Sequence, residues 1–134
     1  MSAAPPSSRT HANAVMARLN GVQGLPTFLG AAPAGQTTPY AVIDFNSTVV
    51  PGSLADRWSQ LDGYVAVRAI GTTAEQSMWA ADRVRTLLLT DTVLGVAGRT
   101  SMPITQDTQT PTFRDDEVSP PLYVTTTVYR WITT

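Results

Sequence analysis

A strand pattern passes directly into a helix pattern in the stretch GYVAVRAIGTTAEQSMWAADRVRTLLL, residues 63–89. Apolar side chains alternate over residues 64–70, which predicts a strand with one buried face. Thr73 and Gln76 match a capping box, and residues 74–89 then have the periodicity of an amphipathic helix. Small side chains on the buried stripe of this helix would allow it to pack closely on a sheet.

The sequence on either side of this unit predicts one more helix and several strands. Residues 9–20 predict a first helix, residues 40–45 an early strand that ends at Asn46-Ser47, and residues 122–133 a long final strand. Residues 57–61 predict a short strand, and Asp62-Gly63 a tight turn or bulge after it. Before the last strand, residues 99–104 predict a weak strand and residues 105–121 a long polar loop. This order of elements predicts an α+β fold with long loops, in which two helices pack on one face of a mainly antiparallel sheet.

Length and composition are those of a folded domain. With 134 residues, 43% of them hydrophobic and 14% charged, the chain is expected to have a flexible N-terminus over residues 1–8 and a single domain over residues 9–134. The absence of cysteine excludes disulfide scaffolds and thiolate metal sites. A net charge of −1 provides no charge excess for binding nucleic acid or an anionic membrane. The first residues lack a signal-peptide pattern, and no apolar run approaches the ~20 residues of a membrane span, so we expect synthesis in the cytoplasm and no membrane partner.

Few residues could carry catalysis. His11 is the chain's one histidine, and we expect it to be half exposed on the flank of the first helix. Asp115, Asp116 and Glu117 could form half of a metal site or an acid/base pair, but no further oxygen ligands are spaced around them. We therefore predict no catalytic residue, no metal and no cofactor, and a small hydrolase is the weakest functional hypothesis.

Uncovered apolar side chains are the most informative feature of the sequence. Large apolar residues on the polar side of a helix, or on the uncovered face of a sheet, often mark contacts between proteins. The candidates are Met78, Trp79 and Leu89 on the second helix and Tyr123, Tyr129 and Trp131 on the last strand. Together they predict a homo-oligomer.

Several pieces of the chain and their order resemble a known family. They are PYAVIDF at residues 39–45, GYVAVRAIG at 63–71 leading into TTAEQ at 72–76, RVRTLLL at 83–89, and PPLYVTTTVY at 120–129 after a long loop. In these pieces the chain resembles the small tail terminator, or tail-completion, proteins of long-tailed bacteriophages. The resemblance covers most of the chain from about residue 9 onward.

This resemblance implies a structural role with no active-site residues. It implies a homohexameric ring, assembled in the host cytoplasm, that lies in the virion at the head-proximal end of the tail tube and ends tube polymerisation. The tail tube protein and the head-completion complex would be its partners, and DNA would pass through its lumen without specific binding. Candidate residues for the lumen or the partner-binding loops are Asp107, Asp115, Asp116 and Glu117. The alternative within the virion is another head–tail connector, such as a head-completion or minor tail protein.

Overall fold

A computed structural model describes residues 6–20, 25–50, 60–90 and 93–134. The described residues form two helices and a mixed, open six-stranded sheet, so the predicted α+β fold is confirmed. The elements are α1 (Ser8–Asn20), β1 (Thr27–Leu29), β2 (Tyr40–Val50), β3 (Gln60–Gly71), α2 (Ala74–Leu88), β4 (Thr105–Gln109), β5 (Phe113–Asp115) and β6 (Leu122–Thr133).

The sheet has the strand order β1-β2-β3-β6-β4, and β5 also pairs with β6. Three long strands, β2, β3 and β6, form its antiparallel centre. The short edge strand β1 pairs with β2 in parallel, which makes the sheet mixed. Because β4 and β5 pair with different parts of β6, together they form the opposite edge of the sheet.

Both helices pack on the same face of the sheet and share one core with it. The buried stripe of α2 consists of Ser77, Ala80, Ala81, Val84 and Leu88. Its small members bring the helix close to the strands, and the Ser77 hydroxyl donates a hydrogen bond of 2.8 Å to the carbonyl oxygen of Ala69 in β3. The capping box is present: Thr73 Oγ1 accepts from the Gln76 amide, and Gln76 Oε1 accepts from the Thr72 amide.

The prediction that the aromatic face of β6 is uncovered was wrong. Tyr129 and Trp131 are fully buried beneath the helices, and burial raises the pKa of the Tyr129 phenol to about 12. Trp131 lies directly across from Gly63 of β3, where the absence of a side chain leaves room for large rings. Since both faces of β6 carry apolar side chains, the alternation alone did not indicate which face the helices cover.

Residues 105–121 are also more ordered than the sequence predicted. They contain β4 and β5, whose polar side chains lie at a sheet edge and therefore lack the apolar alternation that reveals a strand. Conversely, the weak strand predicted over residues 99–104 is reduced to an isolated bridge between Ser101 and Thr133.

The central strands are longer than predicted. β2 continues through Asn46 and Ser47, and β3 runs unbroken through Asp62 and Gly63, where a turn was expected. Because each of these residues has a partner across the strand, the ladder overrides their local turn preference. Most of the short strand predicted over residues 57–61 lies outside the described residues.

A substitution at Gly71 tests whether α2 packs closely on the sheet. A Cβ atom at this position would lie 2.6 Å from the Ser77 amide nitrogen and 2.9 Å from the Gln76 carbonyl carbon, both of them backbone atoms in the first turns of α2. Gly71→Ala should therefore lower the free energy of unfolding by about 1–3 kcal/mol. Gly95→Ala is the matched control, because a Cβ atom there meets nothing within 4 Å. Urea titrations in which the two variants lose equal stability would contradict this packing.

Candidate functional site

The outer side of α2 carries three large apolar side chains that the fold leaves uncovered. Met78 is 52% exposed, Trp79 46% and Leu89, the C-cap residue, 38%. They are exposed because the small residues and Val84 occupy the sheet-facing stripe of the helix. The structure thus places these residues on the surface as expected, and their role in binding another protein remains a prediction.

These side chains lie on two different flanks of α2. Arg85 donates a hydrogen bond to the side chain of Gln109, which places the Arg85 flank of the helix beside β4. Met78, seven residues before Arg85, and Leu89, four residues after it, lie on this same flank. Trp79 lies on the other flank, where it lines a shallow groove of about 500 Å³ with Pro39 and Gln76.

The face of the sheet opposite the helices carries both polar and apolar side chains, and its charged residues form ion pairs between strands. Arg130 and Asp62, on neighbouring strands, form two hydrogen bonds of 2.9 and 2.7 Å, and this pairing lowers the pKa of the Asp62 carboxyl. Arg68 and Asp44 form a second ion pair at 3.3 Å.

Tyr123, the third aromatic candidate on β6, is half buried at the end of the helix-covered face, opposite Gly71. Its role in binding a partner remains a prediction.

A small apolar cluster on the face opposite the helices is partly covered by loops. It consists of Val42, Ile70 and Val124, with Ala32, Tyr40 and Leu122 packed against it. Residues 30–38 and 118–120 border it and leave an open hollow of about 640 Å³. The lining contains the Arg68 side chain but no carboxylate, so within the described residues the hollow lacks an acid/base pair.

The four acidic candidates all lie along the β4–β5 edge. Asp107 occupies a bulge, because the pairing with β6 shifts register between its two neighbours in β4. Asp115 accepts a hydrogen bond of 3.0 Å from the Glu117 amide, and Asp116 forms an ion pair of 2.6 Å with Arg114. No three metal-ligating side chains come together anywhere in the described ranges. The position of the four acidic candidates relative to a lumen or a partner remains a prediction.

His11 is fully buried, so the expectation of a half-exposed histidine was wrong. Its Nδ1 lies 2.6 Å from the Ser7 carbonyl oxygen, which can only accept, so Nδ1 is the protonated nitrogen. Its Nε2 then accepts from the Thr133 hydroxyl at 2.7 Å, and that hydroxyl accepts from Arg99 Nε at 2.8 Å. The ring also packs 5.1 Å from the Trp131 ring. This network joins the start of α1 to the end of β6.

The two halves of the hydrolase hypothesis lie far apart. His11 is bonded to Thr133 at the last residue of β6, whereas Asp115 pairs with Leu122 at its first. The twelve residues of β6 separate them, which corresponds to roughly 35 Å in an extended strand. Since both His11 nitrogens also have structural partners, the arrangement does not support a joint acid/base site.

Five exposed apolar residues outside α2 were not predicted from the sequence. They are Leu29, Val93, Met102, Phe113 and Val118. Phe113 and Leu29 lie in short edge strands of three residues each, which are too short to produce a detectable alternation.

One chain in the solved virion of a native gene transfer agent particle has a similar fold. The two chains superpose with a TM-score of 0.61 over 92% of this chain and 87% of that chain, at 14% sequence identity. At this level of identity the likeness establishes a shared fold. No protein-family model and no curated protein sequence matches the chain. Neither described helix combines the length and apolarity needed to cross a bilayer.

The buried histidine network predicts an acid-sensitive fold. Burial, assisted by the nearby Arg99 charge, lowers the pKa of His11 below its ordinary value of 6.5, against the opposing hydrogen bond to Ser7. The unfolded chain therefore binds a proton more readily than the folded one, and stability that is complete above pH 6.5 falls as the pH drops through the lower folded-state pKa. Urea titrations between pH 7.5 and about 5, above the range of most carboxylates, measure this loss.

His11→Gln is the control for this prediction, because it removes the one imidazole in the chain. Its stability should change less than that of the wild type over the same pH range. Parallel pH profiles for the two proteins would show that the histidine does not couple to folding.

Proposed function

We propose that this chain is a structural virion protein that forms a ring at the head-proximal end of a phage tail tube and ends its polymerisation. The observation that carries the proposal is the fold shared, over nine-tenths of the chain, with a component of the gene transfer agent virion. The resemblance of residues 39–45, 63–76 and 120–129 to tail terminators supports the finer assignment. The structural use of both His11 nitrogens favours a role without catalysis.

The exposed surfaces of the subunit are compatible with a ring. A closed ring needs a heterologous interface, so each subunit must have two different adhesive surfaces. The apolar side chains on the helix-covered face of the sheet are buried in the subunit's own core. Tyr129 and Trp131 are therefore not available to bind another subunit. The exposed flanks of α2 remain, and an exposed Trp such as Trp79 is a typical anchor in protein interfaces.

Termination then follows from occlusion. A ring that binds the end of the tube but presents a different upper surface leaves no site for the next tube subunit. That upper surface would bind the head-completion complex. Acidic side chains at the lumen would repel DNA phosphates and allow the DNA to pass without being bound.

The proposal predicts that the purified chain limits the length of tail tubes. When it is added to polymerising tail tube protein from the same particle, negative-stain microscopy should show shorter tubes with a ring at one end. Tubes that keep their full length and bare ends at every concentration of the chain would contradict the terminator assignment. Binding to portal or adaptor protein alone would favour another head–tail connector.

Trp79→Ala should weaken this capping by about tenfold or more, because loss of an interface Trp typically costs 2 kcal/mol or more. It should change the thermal midpoint of the isolated chain little, since half of the side chain is already in solvent. Thr86→Ala, at an exposed position seven residues further along the same flank of α2, is the matched control and should weaken capping far less, because a Thr is seldom an interface anchor. A large loss of stability with unchanged capping would place Trp79 in the fold and not in the interface.

A further inference from the structure

We propose that opposite edges of the sheet are the two complementary halves of a head-to-tail contact between copies of this chain. The β4–β5 edge of one copy would contact the α1–β1 edge of the next. This inference rests on the proposed ring and names the surfaces that build it. These two edges take the place of the aromatic face of β6 as candidate interfaces, because that face is buried within the subunit.

The strand order places these edges as far apart as the sheet allows. β1 and the β4–β5 pair lie at its two ends, and each pairs with one neighbouring strand among the described residues. β1 covers only residues 41–43 of β2, so in the described part of the chain residues 44–49 pair with β3 alone. Surfaces on opposite sides of a subunit are what a head-to-tail assembly needs.

The two edges differ in charge. Helix α1 has no acidic residue, and Arg9 is the basic side chain on the side of the helix that borders β1. Arg9 lies at the β1 edge, where it borders a groove with Leu29 and Phe45, and it makes no ion pair within the described residues. Asp44 borders the same groove but is already paired with Arg68. This edge is therefore available to an acidic surface.

The β4–β5 edge has the opposite sign. Residues 105–117 contain Asp107, Asp115, Asp116 and Glu117 against a single basic residue, Arg114. Asp107 lies in β4, whereas Asp115, Asp116 and Glu117 are consecutive at the end of β5, and Arg114 is paired with Asp116. Among the described residues, Asp107 and Glu117 have no ion-pair partner.

Each edge also carries exposed apolar surface. Met78 and Leu89 extend along the α2 flank beside β4, and Leu29, 49% exposed, lies at the β1 edge. Apolar side chains at the centre of a contact with charged residues around them are the usual composition of a protein interface.

The charges also exclude the symmetric alternatives. Two acidic edges repel each other, as do two basic ones, so a two-fold dimer through either edge is disfavoured and the acidic-to-basic contact remains. The bulge at Asp107 and the charges around it are typical of an edge protected against direct strand pairing. We therefore expect contact through side chains and not a sheet that continues between subunits.

Charge-swap variants test this arrangement. The first variant is Arg9→Glu, which makes both edges acidic. The second is Asp107→Arg with Glu117→Arg, which makes both edges basic. The control is Arg83→Glu, an exposed position elsewhere on α2. Sedimentation velocity at low and high salt measures self-association, and circular dichroism checks folding.

The wild type should self-associate at low salt and dissociate as salt is added. Each of the two charge variants alone should associate about tenfold more weakly or worse, and an equimolar mixture of the two should restore association, because each acidic edge then meets a basic one. Arg83→Glu should behave like the wild type. A wild type that stays monomeric at every concentration, or variants that associate as strongly as the wild type, or a mixture that restores nothing, would overturn the inference.

Tube capping separates this inference from the proposed function. If folded charge variants cap tubes as well as the wild type does, the ring function stands and the edges are wrong. If the wild type associates through these edges but never caps tubes, the edges stand and the terminator function is wrong.

Discussion

The close packing of α2 on β3 and β6 is the contact on which the rest of the structure depends. Ser77, Ala80 and Ala81 let the helix backbone approach the strands. Gly71 lacks the Cβ atom that would collide with the first turns of α2. Larger side chains are thereby displaced to the outer flanks of the helix. The same packing that builds the core thus leaves Met78 and Trp79 in solvent.

The elements around this contact could be predicted because their patterns are local. The strand over residues 64–70, the capped helix that follows it and the long last strand all have periodicity or capping residues that belong to one segment. The edge strands β4 and β5 could not be found, since β4 is polar and exposed on both faces and β5 has only three residues, too few for an apolar period. Their pairing with β6 is a tertiary fact that is absent from residues 105–115 themselves.

The same distinction between local patterns and tertiary contacts explains which predicted interaction residues were placed correctly and which were not. Met78, Trp79 and Leu89 were correctly placed outside the core, because a helix with one buried stripe leaves its other positions exposed. The side of β6 that carries Tyr129 and Trp131 was assigned wrongly, because both sides of that strand are apolar and only its partners determine which one is covered. His11 was misplaced because its bond to Thr133 joins opposite ends of the chain. The charge difference between the two sheet edges became visible only once the strand order was known.

The central claim is that this chain is a structural component located between the head and the tail of a virion. Gold labelling of an affinity-tagged chain in purified, intact particles tests it most directly. The account predicts label at one position, the junction between head and tail, in nearly every tailed particle. Particles that assemble normally and carry no label, or label distributed along the tail or over the head, would contradict it.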